Sequence, residues 1–121
     1  MVDIPVVEAV KRYLRVLPRE GIHATRAILF GSFARGEAKE TSDIDVVVIA
    51  PEFDLSHDRH LVKRLWIARA LADIRIEPIA CGEREWETEE GRPILDIARR
   101  EGMEISIMGV PGSPSKYPAP G

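Results

Sequence analysis

Asp43 and Asp45 stand two residues apart at the head of the apolar run Val46-Val47-Val48-Ile49, after a ten-residue spacer that follows Gly31-Ser32. On a strand, residues two apart leave the same face, so both carboxylates share one surface of a sheet. Two acceptor-only anions side by side repel each other and are not usually placed so without a cation between them. Gly31 permits close backbone approach or positive φ, and a helix opening at Ser32 would aim N–H groups and a hydroxyl at a phosphate. These parts together describe a site for a metal–nucleotide complex.

Each part also has a plainer reading. Gly31-Ser32 alone would serve as a strand-to-helix turn with a capping serine, and Ser42-Asp43 alone as a turn at a strand entry. A P-loop is excluded, because Glu37 stands where the essential lysine would be. Aspartate is disfavoured in strands, so two of them opening a Val/Ile run point beyond packing. Glu77, on a later strand, is a third carboxylate within reach of the same cation, with Asp73 of equal parity as its rival. Arg35, one turn into the helix, is a candidate phosphate contact or a solvated surface residue. His57 and His60 lack a third ligand and read as surface residues, and His23 as a loop residue without a partner.

The elements that must position these groups follow from periodicity. Val6, Val7, Val10, Leu14 and Leu17 mark a first helix, with Asp3 as N-cap, ended by Pro18 and Gly21. Thr25–Phe30 reads as a buried strand, Ser32–Gly36 as one or two helical turns, and Glu37–Ser42 as a loop. Ile44–Ala50 is apolar on both faces, as in a central strand covered on both sides. Pro51 stops it. Ser56 caps a helix carrying Leu61, Val62, Leu65, Trp66, Ile67 and Leu71 on a wide apolar face. Ile74 and Ile76 alternate with Arg75 and Glu77 in a third strand that runs through Ile79, where Pro78 implies incomplete backbone pairing on one side. Glu83–Glu90 is a short helix or loop around Trp86. Pro93 opens a last helix closed at Gly102, and Ile105 and Ile107 alternate as an edge strand. Residues 109–121, rich in Gly, Pro and Ser, read as a disordered tail behind a domain over 1–108. The order is α-β-α-β-α-β-α with a final strand, and the class is α/β or α+β.

At 121 residues, with 45% hydrophobic and 31% charged residues, the chain suits one soluble domain with one core. A net charge of −3 argues against broad electrostatic binding of nucleic acid, so a nucleotide must be held locally. No apolar run approaches the roughly 20 residues that span a bilayer. The start lacks a signal peptide's basic and apolar regions, which predicts a cytoplasmic protein. Cys81, the one cysteine, rules out an internal disulfide and reads as a small thiol at a strand end.

Ile28-Leu29-Phe30-Gly31-Ser32-Phe33-Ala34-Arg35-Gly36 with Ser42-Asp43-Ile44-Asp45-Val46-Val47-Val48 closely resembles the minimal nucleotidyltransferases of the DNA polymerase β superfamily. The likeness spans about residues 25–80: an apolar residue, Gly-Ser, the spacer, Asp-apolar-Asp, and a later acid. It implies a small mixed sheet flanked by helices, like the polymerase β palm. It also implies that Gly31, Ser32 and Arg35 contact the phosphates of ATP, and that Asp43, Asp45 and Glu77 hold two Mg²⁺ ions. Glu77 departs from the aspartate often found there. The resemblance further implies a small all-helical HEPN protein as partner, with the chain as antitoxin, in some cases by transferring AMP to a toxin tyrosine. Trp66, Trp86 and the acidic Glu83–Glu90 segment could form that surface; the plainer reading puts Trp66 in the core and the acidic run in solvent. Two functions stand: nucleotidyl transfer to a partner's hydroxyl, or neutralisation of a helical toxin by occlusion. A small-molecule acceptor is a third.

Overall fold

The computed structural model describes residues 4–55, 59–88 and 91–107. Among them the chain forms a four-stranded sheet flanked by helices, the mixed α/β class expected. In chain order the elements are α1 (Ile4–Val16), β1 (Arg26–Phe30), α2 (Ser32–Arg35), β2 (Ile44–Ile49), α3 (Glu52–Leu55), α4 (Arg59–Ala68), β3 (Ile76–Cys81), α5 (Glu83–Thr88), α6 (Pro93–Glu101) and β4 (Met103–Ser106). Asp3, Ser56, His57 and the tail 109–121 lie outside the described residues. No helix among the described residues is long and apolar enough to cross a membrane.

The strand order is β3-β2-β1-β4. β1 pairs antiparallel with β2 and with β4, whereas β2 and β3 run parallel. A parallel pair needs a crossover, and α3 and α4 supply it. β3 is therefore an edge strand, and the missing N–H of Pro78 costs no ladder on its free side. β2 is apolar on both faces because both are covered. Val46, Val48 and Ala50 pack with α1 and α4 through Val10, Tyr13, Leu14 and Leu65. Val47 and Ile49 pack with Leu95 and Ala98 of α6. The buried Tyr13 hydroxyl donates to the Leu65 carbonyl and ties α1 to α4.

Several expectations are corrected. β3 begins at Ile76; Ile74 precedes it and is 71% exposed. The cause is local: Arg75 N–H donates to the Asp73 carboxylate at 2.9 Å, and that turn holds the chain out of the sheet for two more residues. The helix from Arg59 is narrower than its sequence pattern. Only Leu65 and Ala68 are buried in α4, a 3₁₀ turn follows at Arg69–Leu71, and Trp66 and Leu71 are 37% and 60% exposed. Trp66 thus lies outside the core, with the Arg69 guanidinium 4.8 Å above its ring. The helix α3 was not foreseen. His23 does have a partner: its backbone N–H donates to Glu52 Oε1, and its Nδ1 lies 2.7 Å from Glu52 Oε2.

Candidate active site

The expected site residues gather at one end of the sheet. β1 finishes there at Phe30-Gly31, and β2 and β3 begin there. Asp45 lies opposite Phe30 on one side and opposite Glu77 on the other. Residues opposite one another share a face, so Asp45 and Glu77 rise together from the surface that, farther along, packs on α6. Asp43 has the same parity and sits just before β2, exposed. The loop ahead of it is pinned, since the Ser42 hydroxyl accepts the Lys39 N–H at 2.8 Å and Arg75 donates to the Glu40 carbonyl at 2.9 Å. The Asp73 carboxylate is engaged elsewhere, in an ion pair with Arg75 at 2.8 Å that holds it below the usual carboxylate range.

Gly31 turns the chain out of β1 with φ +76° and ψ −152°, and the single helical turn α2 follows. A Cβ on Gly31 would run into Asp45 Oδ2. Glycine is therefore required twice, for the dihedral and for the space that the carboxylate occupies. Ser32 is half-buried beside it and Arg35 is exposed.

Burial first, then the charges of Asp43 and Glu77, push the Asp45 carboxyl above its ordinary range; Arg35 offsets part of this and Glu101 adds to it. Among the described residues no lysine or arginine bridges Asp43, Asp45 or Glu77. Nor do three such side chains already stand at the spacing of a closed metal cage. The donor set is oxygen only, and its negative charge is offset only in part, by Arg35. Both properties fit a hard divalent cation that would draw the acids together and share the rest of its shell with phosphate and water.

The sequence reading missed Glu101, the last residue of α6. Gly31 N–H donates to Glu101 Oε2 at 2.9 Å, and Arg35 Nη1 reaches the same carboxylate at 3.1 Å while its Nε bonds Glu37. The turn that was expected to present a free amide thus presents one already bound to an anion. The reason lies in Gly102: a Cβ there would strike the Ala98 carbonyl and Ile28, with the Leu29 carbonyl 3.1 Å away. Its absence lets the end of α6 lie on β1 and brings Glu101 to Gly31. Cys81 is buried at the end of β3, its thiol pushed up to about 12, chiefly by burial. It is inert packing, as expected of a small thiol at a strand end.

Residues 10–101 match the model of the nucleotidyltransferase domain family, a span that contains Gly31, Ser32, Asp43, Asp45, Glu77 and Glu101. Three proteins of Methanocaldococcus jannaschii, each named "putative protein adenylyltransferase", are similar in sequence. The first is 30% identical over 77 residues, 63% of this chain and 76% of that protein. The second is 38% identical over 71 residues, covering 56% and 48% of the two chains. The third is 46% identical over 41 residues, covering 34% and 42%. The aligned part of this chain spans less than half the length of the second and third relatives.

Proposed function

The chain belongs to the nucleotidyltransferase domain family and is a nucleotidyltransferase, and we propose that it moves AMP from ATP to a hydroxyl of a partner protein. One observation carries this reading: Asp45, flanked by the like charges of Asp43 and Glu77 and in no ion pair with a lysine or arginine among the described residues, stands against the Gly31 turn. The shared name of the relatives supports a protein as the acceptor. The likeness to minimal nucleotidyltransferases favours a small all-helical HEPN protein in that role, with this chain as its antitoxin in the cytoplasm. We assign the catalytic unit to residues 1–108, which hold every proposed site residue, and leave 109–121 outside it.

Asp43, Asp45 and Glu77 would hold Mg²⁺, two ions in all, since hard oxygen donors suit it. When bound, such ions lower the pKa of an attacking hydroxyl and offset charge on the α-phosphate and the departing pyrophosphate. The Gly31 amide, the Ser32 hydroxyl and the Arg35 guanidinium bind and orient the β- and γ-phosphates. Glu77, on the edge strand, faces the acceptor side and helps activate its hydroxyl. The new bond joins that oxygen to the α-phosphorus, and the bond to the β-phosphate oxygen breaks.

The exposed apolar side chains Val62, Trp66, Ile67 and Leu71 favour a protein partner, and they would serve occlusion without transfer equally well. The two are separated by incubating the chain and a HEPN partner with Mg²⁺ and ATP labelled at the α-phosphate. Label on the partner that is lost in Asp45→Asn supports transfer, and γ-labelled ATP must leave none. Neutralisation of the partner without any label would establish occlusion instead.

A further inference from the structure

We infer that Glu101 is an internal stand-in for the nucleotide's outer phosphates, a specificity residue that holds the phosphate donors in the free protein and weakens every ligand that must displace it. The inference deepens the nucleotidyl-transfer reading and rests on it.

Its basis is the identity of the donors. Glu101 Oε2 accepts the Gly31 N–H at 2.9 Å and Arg35 Nη1 at 3.1 Å, and Oε1 lies 3.4 Å from the same nitrogen. One backbone amide and one guanidinium converging on an anionic group is how a phosphate oxygen would be held there. These are two of the three groups assigned above to the β- and γ-phosphates. A carboxylate on them keeps the buried Gly31 amide satisfied while no nucleotide is present. Glu101 can also leave. Its side chain is 26% exposed at the C-terminal end of α6, with water on one side.

Charge makes the contact a competition. Glu101 adds a negative charge to the neighbourhood of Asp45, Asp43 and Glu77, which is where a triphosphate must arrive. A ligand carrying β- and γ-phosphates has to displace Glu101 and overcome its repulsion. A ligand carrying only an α-phosphate need not touch Gly31 or Arg35. Glu101 therefore acts selectively on ATP and on polyphosphate, and leaves AMP alone.

Glu101→Gln separates this from a structural tie, because the amide oxygen still accepts the Gly31 N–H while the charge is gone. With the full chain, calorimetric titration of Mg·ATP and of tripolyphosphate into Glu101→Gln should give dissociation constants about threefold to fivefold lower than wild type, the worth of one partly solvated charge contact. AMP binding should not change. Glu101→Asp, too short to reach Gly31, should tighten polyphosphate as well, and it tests the inference if the glutamine variant folds poorly. In amide spectra of the wild type, the Gly31 resonance should move as tripolyphosphate replaces the carboxylate. Unchanged or weaker polyphosphate binding in both variants would overturn the inference and leave Glu101 as a structural tie. A wild type that binds neither ATP nor tripolyphosphate would remove the phosphate assignment of the Gly31 turn itself, and the role of Glu101 with it. A wild type that binds both while the variants do not differ from it rejects Glu101 alone.

Discussion

Asp45 fills the space that a side chain at Gly31 would occupy: a Cβ built there meets the Asp45 carboxylate, and the backbone already sits at φ +76°. The turn and the acid are thus one unit, each placed by the other. We predict that Gly31→Ala pays for both, the positive-φ backbone and the displaced carboxylate. Stability should fall by about 1–3 kcal/mol in chemical denaturation, and nucleotidyl transfer by roughly a hundredfold or more, since a misplaced carboxylate misaligns the reacting groups. Transfer near the wild-type rate in a folded Gly31→Ala chain would show that Asp45 need not be where it is.

The electrostatics of Asp45 predict a pH dependence. Burial, Asp43 and Glu77 raise its pKa in the folded chain above the ordinary 3.8. The folded protein therefore keeps a proton over a window in which the unfolded chain has lost it. Stability declines as pH rises from about 3.8 through the raised value, and stays at the lower level at neutral pH. Asp45→Asn removes that loss. In a metal-chelating buffer the variant should melt at a higher temperature than wild type at pH 7, and the gap should close as pH approaches the ordinary carboxylate value. A gap of constant size across that range would contradict the assignment.

What the sequence disclosed and what it hid follow from the range of the interactions. Gly31-Ser32, Asp43-Ile44-Asp45 and the two-faced apolar β2 are local patterns, and local periodicity shows which face each side chain takes. Glu101 reaches Gly31 across 70 positions of chain, and only the close packing of Gly102 on β1 makes the contact. No spacing rule announces it. The start of β3 was misplaced because Ile74 obeys the alternation of a strand, while the turn between Asp73 and Arg75 overrides it. The helix α4 carries a pattern that asks for a wide buried face, but only Leu65 and Ala68 are fully covered, with Leu61 packed at the margin.

Arg99 should prove a structural arginine. Its guanidinium lies 4.8 Å above the Trp86 ring, donates to the Glu85 and Trp86 carbonyls at 3.1 and 3.0 Å, and pairs with Asp96 at 2.8 Å. Its side chain is only 14% exposed. It binds the carbonyl end of α5 to α6, the helix that delivers Glu101. Arg99→Ala should cost about 2 kcal/mol in urea denaturation, and Arg99→Lys, which keeps the charge without the planar fork, somewhat less. A loss below the error of the measurement would show that these contacts do not hold α5 in place.

Glu77 and Asp73 make opposite predictions from nearly the same sequence position. Glu77 stands opposite Asp45 across the parallel pair β2–β3 and shares its face, whereas Asp73 is occupied by Arg75, with its pKa lowered chiefly by that hydrogen bond. If Glu77 serves the acceptor side, Glu77→Gln should lower the transfer rate by about a hundredfold, within the usual range for lost acid–base help, while Mg·ATP binding falls far less than in Asp43→Asn. Asp73→Asn should keep transfer within about twofold and lose only the modest stability of a partly exposed ion pair. The measurement is kcat and nucleotide affinity for the three variants side by side. Full transfer in Glu77→Gln together with collapse in Asp73→Asn would exchange their roles. It would also require the Asp73–Arg75 pair to open during the reaction, because in the free protein that carboxylate is already spoken for.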